Sequence, residues 1–306
     1  MRIGIDLGGT KIEGIALADT GAQLLRQRVD APRGDYHQTI SAVRALVARL
    51  ETKLGQRGTV GVGIPGAISA TSGLIKNANS TWLIGNPLDQ DLAAALERPV
   101  RVANDANCFA ISEATDGAGR DAAVVFGVII GTGTGAGIAV DRHILTGANA
   151  IAGEWGHNPL PWPQHDEMPG SSCYCGKRGC IETWLSGPGL TRDFAQHGGR
   201  ELDPPDIVTL AEQGDAKAES ALQRYEDRMA RALANVINVL DPDVVVLGGG
   251  MSNITRLYPN VPRRWARYIF SDEVCTQLRA PAHGDSSGVR GAAWLWPATS
   301  APPPVV

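Results

Sequence analysis

The chain has 306 residues, 43% of them hydrophobic and 20% charged, with a net charge of −4 at pH 7. That length accommodates two domains with cores of their own, and the slight acidity argues against a general nucleic-acid or anionic-membrane surface. No apolar run approaches the roughly 20 residues that span a bilayer, and no secretory signal precedes Asp6, so a cytoplasmic setting with reduced cysteines is expected.

In chain order, residues 2–7 and 11–17 read as strands joined by a tight turn at Gly8-Gly9, with a third strand at 24–29. Residues 38–54 carry apolar side chains at helical spacing, from Ile40 and Val43 to Leu50 and Leu54. Short β-rich runs follow at 59–64, ending in Pro65-Gly66, and at 99–103, ending in Asn104-Asp105. A helix is expected at 106–115. After Gly117-Ala118-Gly119 the pattern begins again: a strand at 122–130, a glycine-rich turn at 131–137 and a strand at 138–140. A long helix spans about 216–240, a buried strand 244–247 runs into Gly248-Gly249-Gly250, and 288–296 reads as a last helix. The two halves share one plan, which predicts a duplicated α/β architecture with a cleft between halves. The Pro-rich end from Ala298 to Val306 reads as frayed.

Several of these loops carry chemistry. Asp6-Leu7-Gly8-Gly9-Thr10-Lys11 joins a carboxylate to a turn whose backbone N–H groups can cradle phosphate, with Asp6 near a hydrated Mg²⁺. The same residues also suit an ordinary hairpin with glycines at positive φ. It is not a Walker A loop, since a strand follows rather than a helix. Gly131-Thr132-Gly133-Thr134-Gly135-Ala136-Gly137 contains a dinucleotide-type spacing, yet again a strand follows, so a second phosphate turn is the better reading. Asp105 suits either a helix N-cap or a general base at the carboxyl end of a strand.

The most specific signal is Glu154-Trp155-Gly156-His157 followed by Cys173-Tyr174-Cys175-Gly176-Lys177-Arg178-Gly179-Cys180-Ile181-Glu182. One histidine and three cysteines can close a tetrahedral shell, and soft thiolates with an imidazole select zinc. Five cysteines in all, at 108, 173, 175, 180 and 275, are an odd number and speak against a disulfide framework. The two acids that bracket the ligands, Glu154 and Glu182, would be fixed in space by such a metal.

Taken together, DLGGTK, GIPG at 63–66, NDANC at 104–108, GTGTGAG, EWGH, CYCGKRGCIE and LGGGMS resemble the ROK family of repressors and sugar kinases, over nearly the whole chain. The stretches 76–82, 153–162 and 283–296 look most like its bacterial fructokinases that also use mannose. The resemblance implies an actin-like, hexokinase-type (ribonuclease H-like) fold. A small domain of residues 1–115 plus 286–306 would face a large one of 116–285. It implies Mg·ATP held by Gly4, Asp6, Gly8, Gly9, Thr10, Lys11, Gly131, Thr132, Gly133, Gly248, Gly249 and Gly250. It places Gly66, Asn79, Asn104, Asp105, Glu154, His157 and Glu182 on the sugar, with Asp105 as base. His157, Cys173, Cys175 and Cys180 would hold a structural zinc. The implied reaction is phosphorylation of fructose at its 6-hydroxyl, with glucose or an N-acetylated hexosamine as the alternative substrate. A homodimer is expected as in the family. A repressor of the same family would need a DNA-binding module ahead of the first glycine turn, and only five residues precede Asp6.

Overall fold

The computed structural model describes residues 1–78 and 80–297; Asn79, expected on the sugar, and the tail 298–306 lie outside the described residues. The first half contains β1 (Arg2–Leu7), β2 (Lys11–Leu17), β3 (Gln23–Asp30), α1 (Tyr36–Leu54), β4 (Thr59–Ile64), the short β5 (Ala67–Ile68) and β6 (Ile75–Lys76), α2 (Leu88–Leu96), β7 (Val100–Asn104) and α3 (Asp105–Thr115). Its five-stranded sheet has the order β3-β2-β1-β4-β7. The second half contains β8 (Val124–Ile130), β9 (Thr134–Val140), β10 (His143–Ile144), α4 (Glu182–Leu185), α5 (Gly187–Gln196), α6 (Pro204–Glu212), α7 (Ala216–Leu240), β11 (Val244–Gly248), α8 (Leu257–Trp265) and β12 (Gln277–Arg279). Its sheet runs β10-β9-β8-β11-β12, the same plan strand for strand. In each, an antiparallel hairpin is followed by two strands parallel to its first.

Local chemistry sets the helix limits. The Asp35 carboxylate accepts the Gln38 N–H at 2.8 Å at the start of α1, and Gly55 ends it in the left-handed region. Asp215 caps α7 in the same way, accepting from Lys217 and Ala218. The glycine-rich turn is shorter than its composition suggests: β9 begins at Thr134, so Gly135 and Gly137 belong to a strand. At Gly137 the reason is close approach, since a Cβ there would meet the Ala106 carbonyl oxygen at 2.5 Å.

Three apolar layers result. Ile5, Leu46, Val62 and their neighbours fill the space between the first sheet and α1 and α2. Phe126, Leu222, Met229, Leu247 and Trp265 do the same between the second sheet and its outer helices. The third layer joins the halves: Ile15 and Leu17 of β2, Phe109 of α3, Val125 and Val246 of the second sheet, and Val289 of α9 (Ser287–Trp294) lie in one cluster. Here α9 packs on β1, β4 and α3, and α3 in turn packs on β8 and β9. The approach is backbone to backbone. A Cβ on Gly4 or Gly61 would overlap the carbonyl of Val289 or Ala292, and one on Gly291 would overlap that of Cys108. Gly4, expected beside the nucleotide, is therefore buried beneath α9, and its lack of a side chain serves helix packing.

Replacing Gly291 by Ala should therefore separate α9 from α3 and cost about 3 kcal/mol, in the range of overpacked cores. Thermal unfolding of Gly291→Ala should show a melting temperature lowered by several degrees; an unshifted transition would refute the close-packing account.

Candidate functional site

The carboxyl end of β7 leads directly into α3, and the sequence Asn104-Asp105 is divided between two tasks. Asn104, not Asp105, is the N-cap: its Oδ1 accepts the Ala106 N–H at 2.8 Å. Its Nδ2 donates to the Gly66 carbonyl at 3.1 Å, tying the Pro65-Gly66 loop to the helix start. Asp105 also accepts the Ala106 N–H, at 2.8 Å, and its side chain opens on the cleft. The surrounding protein is dense enough that burial pushes its pKa up, and the Glu154 charge adds to this, against the lowering effect of the Ala106 N–H.

Asp6 lies at the end of β1. Its pKa is raised to about 6, first by burial and then by the like charges of Asp105 and Glu13, with Arg28 opposing. Two mutually repelling carboxylates at the mouth of a turn form a site that a hard divalent cation relieves, which suits the oxygen preference of Mg²⁺. In the turn itself Gly9, Thr10 and Lys11 are exposed. Neither Gly8 nor Gly9 has positive φ, so the hairpin does not require glycine for its backbone angles. Among the described residues, only Ser80 Oγ comes within 4 Å of the space a Cβ on Gly9 would fill, at 3.4 Å. The glycine leaves the backbone open.

The second turn borders two cavities at once. Gly131 and Thr132 line one of about 980 Å³ together with Pro188, Arg192, Pro204 and Gly250. With Gly133 they also line one of about 740 Å³ that contains Gly66, Asn104, Asp105, Glu154, His157, Tyr174 and Glu182. A Cβ on Gly131 would meet none of the described residues within 4 Å. Of the third glycine loop, Gly250 reaches the larger cavity, whereas Gly248 packs on the Phe109 ring and Gly249, at φ 77°, faces the Ile130 backbone. A further cavity of about 960 Å³ runs along α3 between edge strands β7 and β10, and Asn104, Ala136 and Glu154 border it as well.

The metal cluster is assembled by two pinned segments. The turn Glu154–His157 sits against β9: Gly156 leaves no room for a side chain beside the Thr134 carbonyl, and Trp155 is buried edge-on to Phe126. The ligand strands are joined by Leu160 N–H to Gly179 O at 3.0 Å and Ile181 N–H to Asn158 O at 2.8 Å. Gly176 and Gly179, at φ 86° and 68°, make the turn between Cys175 and Cys180. The intervening loop is anchored by Glu167, which accepts from Arg228 at 2.8 Å and from Arg231 at 2.6 and 2.8 Å. Burial alone would raise that carboxyl, but these arginines and the Gln164 N–H hold it down to about 2. Donor atoms of His157, Cys173, Cys175 and Cys180 all lie within 4.8 Å of one another. Cys173 Sγ is 3.5 Å from His157 Nδ1, and Cys175 Sγ is 3.6 Å from Cys180 Sγ. A zinc tetrahedron has S···N and S···S edges of about 3.5 and 3.8 Å, so the donor set fits zinc.

Of the two bracketing acids, Glu182 is fixed by a hydrogen bond. Glu182 opens α4 and its Oε2 accepts the Thr134 N–H at 2.9 Å, in space left by Gly133. Tyr174 escaped the sequence reading. Its place between two candidate ligands was the available signal, since both neighbours point into the cluster and Tyr174 itself is exposed. It borders the smaller cavity, and its hydroxyl lies 2.9 Å from His157 Nε2.

The family model that matches is that of the ROK family, over residues 2–299. The N-acetyl-D-glucosamine kinase of Vibrio cholerae is 39% identical over 299 residues, covering 96% of this chain and 99% of that protein. Among solved structures, the ROK hexokinase of Thermus thermophilus has a TM-score of 0.84 at 30% identity, covering 96% of both chains. A ROK glucokinase of Streptomyces griseus, solved with glucose and AMPPNP, has a TM-score of 0.74 at 26% identity, covering 96% of this chain and 98% of that one. The fold is accordingly the hexokinase type expected. The expected assignment as a fructokinase is overturned by the full-length likeness to an N-acetyl-D-glucosamine kinase. Its physical basis was thin, since the turns, the base and the metal cluster would serve any hexose equally. By its motifs, its fold and a match over nearly its whole length, the chain belongs to the ROK family.

Proposed function

We propose that this protein is an ATP-dependent N-acetylhexosamine kinase that phosphorylates the 6-hydroxyl of N-acetyl-D-glucosamine. The observation that carries the substrate is the 39% identity to an N-acetyl-D-glucosamine kinase along 99% of that relative's length. The observation that carries the chemistry is the position of Gly131 and Thr132 on the border of two cavities. In this reading the nucleotide base and ribose occupy the larger cavity beside Arg192 and Gly250. The phosphates pass Gly131–Gly133 and the Gly8–Lys11 turn, and the sugar lies in the smaller cavity.

Asp105 takes the proton of the attacking hydroxyl as that oxygen bonds to the γ-phosphorus and the bond to the ADP oxygen breaks. Asp6 would hold Mg²⁺, which supplies charge neutralisation for the transferring phosphoryl group. Backbone N–H groups of both turns orient the phosphates. Glu154 and Glu182 accept from sugar hydroxyls, while Gly66 and Asn104 hold the loop opposite. The units 1–115 with 286–306 and 116–285 close around the pair of substrates and exclude water. His157, Cys173, Cys175 and Cys180 would hold zinc with every position filled by protein, so that the metal shapes the cavity. Thiolate ligands of this kind suit a reducing, cytoplasmic compartment, and a homodimer completes the proposal.

Sugar-dependent ADP release should be highest in kcat/KM for N-acetyl-D-glucosamine among it, glucose, mannose and fructose. Asp105→Asn should lower kcat at least 100-fold, the scale of a lost general base, with folding intact; turnover near that of the wild type would remove Asp105 from the proton transfer. Since kcat/KM reports the free enzyme, and raised carboxyls hold their protons to higher pH, activity should fall as pH drops through about 6, the value at Asp6. A limb centred on the ordinary carboxylate value of about 4 would contradict the coupled Asp6–Asp105 arrangement. Cys175→Ser should reduce both zinc content and kcat/KM by at least tenfold, as measured by elemental analysis and the same assay. Full activity in protein verified as zinc-free would separate the metal from the cavity.

A further inference from the structure

The two ring nitrogens of His157 have separate partners. Nδ1 lies 3.5 Å from Cys173 Sγ, on the side of the four-residue donor cluster, and Nε2 is 2.9 Å from the Tyr174 hydroxyl. A neutral imidazole that gives its Nδ1 lone pair to a metal carries its one proton on Nε2. His157 is then the donor and the Tyr174 oxygen the acceptor, which leaves the tyrosine's own O–H to donate elsewhere. Tyr174 is 80% exposed, and its ring stands edge-on to the imidazole at 5.0 Å and 89°. It lines the cavity that holds Asp105, Glu154 and Glu182. When ionised, those carboxylates can only accept. Metal ligation at Nδ1 would thus make Tyr174 a directed donor on a wall of acceptors. Ala150 and Ile151 line the same cavity and offer it apolar surface.

A hexose hydroxyl both donates and accepts, so carboxylates satisfy it. An acetamido group differs: its carbonyl oxygen only accepts, and its methyl is apolar. We propose that Tyr174 is a specificity-determining residue whose hydroxyl donates to the acetamido carbonyl of an N-acetylated hexose, with Ala150 and Ile151 facing the methyl. This deepens, and rests on, the N-acetylhexosamine kinase reading. Glucose would leave the same donor to water.

Tyr174→Phe keeps the ring and its edge contact and removes only the O–H. The variant and the wild type are compared in kcat/KM for N-acetyl-D-glucosamine and glucose, in calorimetric Kd for both sugars without nucleotide, and in zinc content. The preference for N-acetyl-D-glucosamine over glucose should fall about tenfold in kcat/KM and in Kd, the scale of one lost hydrogen bond, with zinc content equal in both proteins. A preference that survives the substitution, an equal loss for both sugars, or loss of zinc from the variant overturns the assignment of Tyr174 alone. A wild type that prefers glucose overturns the substrate reading and the assignment together.

Discussion

Everything at the cleft depends on the close approach of α9 to β1, β4 and α3. Gly4, Gly61 and Gly291 let these backbones meet where any side chain would intrude. Because α3 packs at the same time on β8 and β9, a single helix pair joins two sheets of identical plan. Glu113 secures the junction. It is fully buried on α3 and accepts from Ala118 N–H at 2.8 Å, Ala282 N–H at 3.1 Å and Ser287 Oγ–H at 2.7 Å. The chain crosses between the halves at both of those loops, so one carboxylate satisfies the backbone of both crossings. A carboxylate with three donors tolerates burial that an unpaired one would not.

The start of α3 inherits its position from that packing. Asn104 spends its side chain on the cap and on Gly66, which leaves the Asp105 carboxyl facing the cleft. The opposite wall is built differently, from a loop with little regular structure. There, the buried Glu167–Arg228–Arg231 group and the four metal donors replace the missing ladder hydrogen bonds. A buried ion group adds little net stability against an apolar alternative, but it anchors the loop between His157 and Cys173 to α7.

Much of this was legible in the chain itself. Strands 2–7, 11–17 and 59–64 and the helix 216–240 match their observed limits, because alternating or 3.6-residue apolar patterns determine them. The four-residue metal set was legible because ligand chemistry restricts which residues can meet. The turn at 131–137 was misread as longer than it is, since glycines required for close packing in β9 look like loop glycines in a sequence. Gly4 was misplaced for the same reason. The short helices α4, α5 and α6, of four, ten and nine residues, went unread between the metal loop and the long helix, and Arg192 and Pro188 on the larger cavity come from α5.

The identity of the sugar was the least legible feature, and the reason is chemical. The motifs respond to what all hexoses and ATP share, namely hydroxyls and phosphates. Discrimination must come from groups aimed at the one substituent that differs. Under the proposed role of Tyr174 the aim would follow from a sequence of physical dependencies: a metal held by the cysteines and His157 Nδ1 would fix the proton on Nε2, and that proton would decide which way Tyr174 donates. No spacing rule encodes a tautomer. A structural metal that takes no part in phosphoryl transfer would therefore still govern which sugar is chosen, because it sets the direction of a hydrogen bond one residue away from its own ligands.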